Sequence, residues 1–277
     1  MAKLQSLLLR INNMIMRRPQ DKIIFIHVPK CGGDAVANAI VSQYITLSGY
    51  SNPITLDAVS SDNVVKIRKN VSEAAYIAHE DAILELRENL LLYLMGRAPS
   101  RLITGHFAFS GLAYEAFRGK FAFVTMLRDP VKRYISTYFY NRYKTSEHRK
   151  INMEIDAYLD SELGRAQGHE FVKFIGGRRI SCDYSSKEAI DQAKQNLHKF
   201  DVVGLLEHLD SFRACYKKRF GVSLRVAKTN ASPKPTSFRD SIMTRERQEK
   251  VNELCAPDRE IYQYAIEHFL SREPRTP

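Results

Sequence analysis

Four side chains in this sequence have the type and surroundings to do chemistry on an anion: Lys30, His106, Arg128 and Ser136. Lys30 lies in Pro29-Lys-Cys-Gly-Gly33, directly after the apolar run Ile23-Ile-Phe-Ile26 and before the helical pattern Val36, Ala37, Ile40 and Val41. A strand, a glycine turn and a helix start bring unpaired backbone N–H groups and the positive end of a helix to one point, which makes an anion cradle. Adjacent glycines let the chain approach a ligand without a Cβ in the way. The lysine adds a mobile positive charge. The lettering is not GxxxxGK[ST], and that string occurs nowhere in the chain.

Arg128 leaves a second apolar run, Phe121–Leu127, and is followed by Asp129 and by Pro130, a residue suited to the first turn of a helix. In parallel sheets, ligands bind beyond the carboxyl ends of strands, so Arg128 and Lys30 share an edge if their strands share a sheet. A guanidinium there can grip a phosphate bidentately, and Ser136, two helical turns on, can donate to the same group. The bland alternative for Arg128 is pairing with Asp129. His106 follows a short strand, Arg101–Thr104, and Gly105, which suits a neutral imidazole acting as general base. The other histidines, including His27 and His148, read as packing or surface residues.

The elements that must position these groups follow from periodicity. Strands are expected over 22–28, 101–104, 121–127 and 201–205. Helices are expected over 35–43, from Ser72 to Leu94, from Pro130 onward, over 187–200 and 207–220, and at about 244–255 and 257–270. In the helix from Pro130, Val131, Tyr134, Ile135, Tyr138 and Phe139 form the buried stripe, while Arg133, Ser136 and Tyr140 share another face. The polar segment 44–62 reads as a loop, as does the stretch 228–237. Alternating strands and helices, with strands apolar on both faces, predict an α/β fold with a central parallel sheet flanked by helices.

Bulk properties narrow the class. The 277 residues suffice for one large α/β domain, and 44% hydrophobic with 26% charged residues is ordinary for a globular protein. The net charge of +11 points to anionic partners or to a solubilising basic surface. The four cysteines, Cys31, Cys182, Cys215 and Cys255, form no CxxC pair and no metal-ligand spacing, so no metal site is expected and a reducing compartment is favoured. No apolar run reaches the ~18 residues of a membrane span. Residues 1–21 read as a basic lead-in and 22–277 as one domain. A complete chain of this kind is expected to be cytoplasmic.

With those residues in view, the chain resembles the sulfotransferases that use 3′-phosphoadenosine-5′-phosphosulfate (PAPS), in particular the carbohydrate branch that acts like uronyl 2-O-sulfotransferases. Phe25–Gly33 is similar to that family's 5′-phosphosulfate loop, and Leu127-Arg-Asp-Pro-Val-Lys-Arg-Tyr-Ile-Ser136 to its 3′-phosphate motif RDPxxRxxS. Gly105-His106-Phe107 is similar to the segment that supplies a catalytic histidine. Weaker likeness continues at 201–209, around Asn230 and near Asp258.

The resemblance implies a P-loop-type sulfotransferase fold. It also implies that Lys30 neutralises charge on the leaving 5′-phosphate oxygen, and that Cys31, Gly32, Gly33, Asp34 and Ala35 hold the 5′ side. Arg128 and Ser136 would hold the 3′-phosphate, and His106 would deprotonate the acceptor hydroxyl. The implied partner is a hydroxyl acceptor, a carbohydrate rather than nucleic acid, and the implied product is adenosine 3′,5′-bisphosphate. Segments 142–179 and 44–70 are the candidates for acceptor contact. The chain departs from the pattern at Asp34 and Ala35, where the family usually carries two hydroxyl residues. Two other classes stay open on the residues alone: a nucleotide-dependent phosphotransferase, and a non-catalytic polyanion-binding module.

Overall fold

The computed structural model describes residues 21–44, 53–72, 79–97, 100–177, 183–227 and 233–270. The basic lead-in before residue 21 and the Asn230 loop lie outside them. Five parallel strands, β1 (Lys22–Ile26), β2 (Ile54–Leu56), β3 (Leu102–Gly105), β4 (Phe121–Leu127) and β5 (Val202–Leu205), form one sheet in the order β2-β3-β1-β4-β5. The expected α/β fold with a central parallel sheet is therefore present.

Burial explains which strands sit where. All seven residues of β4 are buried, as are four of the five in β1, which suits the sheet interior, where both faces are covered by other elements. β1 pairs with β3 on one side and β4 on the other. Ile26 stands level with Gly105 and with Thr125, so three neighbouring strands end at nearly the same height. The chain leaves β1 toward β3 and β2, then returns to β4 on the other side. That is the kind of switch point at which open α/β sheets bind ligands.

Helix α1 (Gly33–Tyr44) starts two residues earlier than its apolar pattern predicts, bringing Gly33 and Asp34 into its first turn. α3 (Glu80–Gly96) covers the later part of the helix expected from Ser72, and 73–78 lie outside the described residues. After β3 comes the short α4 (Gly111–Ala116) and after β4 comes α5 (Pro130–Tyr143). Asp129 caps α5, its carboxylate accepting from Lys132 N at 2.8 Å. Three short helices follow, α6 (Ile155–Asp160), α7 (Glu162–Gln167) and α8 (Glu170–Gly176). The chain closes with α9 (Lys187–Leu197), α10 (Leu209–Phe220), α11 (Thr236–Ile242), α12 (Arg245–Leu254) and α13 (Ala256–Phe269).

Three expectations are corrected. Segment 44–62 is not all loop: it holds β2 and the start of α2 (Ala58–Lys69), capped by Asp57, whose side chain accepts from Ser60 N. The polar stretch before residue 237 runs into α11. Arg133 falls on the expected face of α5 with Tyr140, seven residues on, but that face is not solvent along its whole length: Tyr140 is exposed and Arg133 is not. It is fully buried, 3.6 Å from the equally buried Asp258 on α13. A buried arginine is tolerable only beside a compensating charge, and here the partner comes from a helix far away in sequence. Asp258 in turn accepts from Phe171 N and Val172 N at the start of α8, so one carboxylate joins α5, α8 and α13.

Candidate active site

The loop between β1 and α1 turns through two residues with left-handed backbone, Lys30 (φ 61) and Gly32 (φ 71). Glycine adopts this conformation freely and lysine does not, so Lys30 is held in a strained turn. Its carbonyl accepts from Arg128 Nη1 at 3.0 Å. The two basic residues expected to share a sheet edge are thus joined directly, and Arg128 goes to the loop while Asp129 serves as the helix cap. Gly33 is needed for a different reason: a Cβ there would sit 1.9 Å from the His27 ring. Cys31 is fully buried, and burial pushes its thiol up to about 12, so it contributes backbone to the loop and no nucleophile.

Lys30, Asp34 and His106 line one cavity of about 320 Å³, together with His27. The ammonium of Lys30 lies over the Tyr140 ring, 3.7 Å from its centroid. Burial is the main cause that lowers the Lys30 pKa; Asp34 opposes it and Arg128 adds to it. Asp34 is exposed on the first turn of α1, where a carboxylate suits the helix dipole, and its Oδ1 is 3.9 Å from His27 Nδ1. Ser136 is half-buried on α5, the helix that follows Arg128, and neither residue lines the cavity. Lys30 and Arg128 are therefore brought together, and Lys30 and His106 line one cavity, while among the described residues no hydrogen bond ties Ser136 to the loop.

His106 stands at the carboxyl end of β3. Its Nδ1 lies 2.7 Å from the His27 carbonyl oxygen, which can only accept, so Nδ1 carries the hydrogen and Nε2 keeps its lone pair. Burial pulls its pKa below the ordinary histidine value, against the opposing hydrogen bond to His27. The His27 ring, 4.3 Å from the His106 ring, is likewise pulled down, first by burial and then by the neighbouring His106 and Lys30. Two neutral imidazoles thus face the lysine. His27 reads from sequence as a packing residue, and its position in the wall came without any signal beyond its closeness to the glycine loop.

The far wall is built from segments separated widely along the chain: Ala58 and Val59 of α2, Arg87 of α3, and Lys144, His148 and Arg149 after α5. These fall within or beside the two segments expected to meet the acceptor, apart from Arg87, which nothing in the sequence distinguishes. Glu80 and Glu170 also reach the cavity, and Lys173 pairs with both.

The arrangement brings together a glycine loop tied to Arg128, a half-buried lysine and a buried imidazole with a free ring nitrogen lone pair. The loop cradle, with no room for a Cβ at Gly33, fits a phosphate group. Among the described residues no group of three or more His, Cys, Asp and Glu is arranged to hold a metal ion, and no helix is long and apolar enough to cross a membrane. A family model described as "Sulfotransferase family" matches residues 13–267, nearly the whole chain. No curated protein matches at a significant level.

Proposed function

We propose that this chain, which belongs to the sulfotransferase family, sulfates a carbohydrate hydroxyl, with His106 as general base and residues 22–277 acting as one catalytic domain. The sulfotransferase assignment and the use of PAPS as donor come with the family, and they displace the phosphotransferase and polyanion-module alternatives. The observation that carries the finer reading is the imidazole of His106, hydrogen-bonded through Nδ1 to a carbonyl and sharing one cavity with Lys30.

When bound, PAPS supplies a sulfuryl group for transfer to an oxygen nucleophile. The chain's own groups divide the remaining work. Amides of Cys31 to Ala35 and the α1 dipole bind the 5′-phosphate side. Arg128 and Ser136 bind the 3′-phosphate and so separate this donor from ATP. Lys30 holds positive charge where negative charge develops on the departing oxygen. His106 Nε2 accepts the proton of the acceptor hydroxyl, and the His27 carbonyl stabilises the imidazolium through Nδ1–H. The histidine turn, similar to that of uronyl 2-O-sulfotransferases, and the polar far wall favour a carbohydrate over an apolar alcohol.

Adenosine 3′,5′-bisphosphate at 100-fold its dissociation constant should stabilise the chain by about 2.7 kcal/mol, and Mg·ATP should not. Labelled sulfate should pass from PAPS to a desulfated polysaccharide in preference to simple phenols. His106→Ala should cost about 10²–10⁴ in turnover while keeping bisphosphate affinity. Because the depressed pKa keeps His106 neutral, kcat/KM should stay on its plateau below the ordinary histidine value and fall only at more acidic pH. Full turnover by His106→Ala would remove it from the mechanism.

A further inference from the structure

We propose that Asp62 is a positioning residue whose carboxylate ties the turn bearing His106 to the His148–Arg149 wall, fixing the separation between base and acceptor wall. The inference rests on the reading of His106 as the base.

Asp62 lies in α2 with no exposed surface. Its Oδ1 is 2.7 Å from Arg87 Nη2, and its Oδ2 is 3.0 Å from both His148 Nε2 and Arg149 Nε. Arg87 is itself buried; its Nη1 donates to the His106 carbonyl at 2.6 Å and its Nε to Ser61 Oγ at 2.8 Å. A continuous path therefore runs from the backbone of the proposed base, through Arg87 and Asp62, to two further side chains of the cavity lining. Arg87, His106, His148 and Arg149 all line that cavity.

Two features distinguish this cluster from an ordinary structural ion pair. The first is what it holds: Arg87 grips the peptide of the proposed base, and Arg149 is a wall residue. The second is strain. Arg149 has φ 53, a left-handed conformation that an arginine adopts at a cost, and such residues persist where the surroundings over-determine them. The ion pair with Asp62 helps to hold that turn. Although burial opposes it, hydrogen bonding from His148 and the charges of Arg149 and Arg87 keep the Asp62 carboxyl well below the usual range, so the link stays charged throughout the working pH range.

The link also sets the field at the base. Arg87 and Arg149 both lower the His106 pKa, and Asp34 raises it; His27 faces it from β1. Asp62 lies against both arginines, so its loss and the loss of Arg149 should move His106 in opposite directions.

The test uses the full chain with Asp62→Asn and Arg149→Ala, each read three ways. Adenosine 3′,5′-bisphosphate affinity is measured by calorimetry, the His106 titration by imidazole NMR in the bisphosphate complex, and sulfuryl transfer from PAPS to chemically desulfated heparin by label. Bisphosphate affinity should be unchanged in both variants. The His106 pKa should fall in Asp62→Asn and rise in Arg149→Ala, the signs expected for removing a negative and a positive charge near the ring, and the acceptor kinetics read the positioning itself. Asp62→Asn should lower kcat/KM for the acceptor on the order of 10²-fold through misplacement, and Arg149→Ala should raise acceptor KM more than it lowers kcat.

Arg149→Ala with unchanged titration and unchanged acceptor kinetics overturns the proposal, whether or not Asp62→Asn folds. The titration needs no acceptor, so a His106 pKa unmoved in both variants overturns the proposal even if desulfated heparin is not sulfated. His106→Ala separates the two readings. Full turnover there overturns the base assignment and the coupling with it, whereas an inactive His106→Ala beside an indifferent Arg149→Ala overturns only the role of Asp62.

Discussion

The two sides of the cavity are built by different means. The proposed donor side is made mainly of backbone: a glycine loop at the end of β1, tied by one hydrogen bond through the Lys30 carbonyl to Arg128, which stands outside the cavity lining at the end of the adjacent β4. The proposed acceptor side is made of side chains that α2, α3 and the segment after α5 bring to one buried carboxylate. Backbone geometry is dictated locally, by glycines, a proline and the level ends of neighbouring strands. Side-chain geometry of the second kind depends on every element being in place. The donor side should therefore tolerate distant changes that the acceptor side does not.

The largest expected effect probes whether the donor side is indeed local. Arg133 sits between the donor elements and the rest of the molecule, paired with Asp258, whose carboxyl burial pushes up to about 7 against the pull of Arg133. Arg133→Met leaves that carboxyl without its cation and should cost about 3–5 kcal/mol of unfolding free energy, measurable by urea titration. The preference for adenosine 3′,5′-bisphosphate over adenosine 5′-phosphate should survive. Loss of that preference at full stability would mean that Arg133 belongs to the phosphate site and that the donor side is not local.

A somewhat smaller loss should follow from Lys30→Met: about 10²–10³ in single-turnover transfer, the scale of one group stabilising developing charge. Bisphosphate affinity should fall far less, because the charge that Lys30 meets develops during transfer. Equal losses in binding and turnover would make Lys30 a ground-state phosphate ligand. Next comes Arg128→Met, which should weaken bisphosphate binding by about 1.5–3 kcal/mol, the range for hydrogen bonds to charged groups. Adenosine 5′-phosphate should be held nearly as before. A parallel loss for both ligands would show that Arg128 acts through the Lys30 carbonyl and the loop rather than on the 3′-phosphate.

The same contrast explains what could be read from the sequence. β1, β4, β5 and the PKCGG and RDP segments were legible because apolar runs and turn residues specify them where they stand. α2 was not, because its pattern is inverted. It exposes Val59, Val64 and Ile67, while Ser61 and Asp62 are buried with Val65. A reading that assigns polar residues to solvent sees a loop there. Arg133 was misread for the same reason: its burial depends on Asp258, which lies 125 residues further along the chain. The path from His106 through Arg87 to Asp62 is written in no local spacing. His106 was a candidate from its place after a short strand and a glycine, and its likeness to a known segment set it apart from the other histidines; His27 stood out only by its position in the fold.

The smallest effect concerns the donor loop, at the two positions where it departs from its relatives. Asp34 and Ala35 lie in the first turn of α1, and the Asp34 carboxylate is exposed, near His27 and Lys30. It therefore suits the helix dipole yet adds negative charge to an anion site, and Ala35 offers no side-chain donor. Ala35→Ser supplies a donor without altering charge, so it should strengthen bisphosphate binding by about 1 kcal/mol, the worth of one neutral hydrogen bond. Asp34→Thr supplies a second donor and also removes the charge, so its gain should be larger and should shrink with added salt, as an electrostatic contribution must. Calorimetry on the two single variants and the double separates these contributions. If none of the three binds more tightly, the loop holds its anion through backbone amides alone, and the donor side is still more purely a backbone device than the contrast with the acceptor side requires.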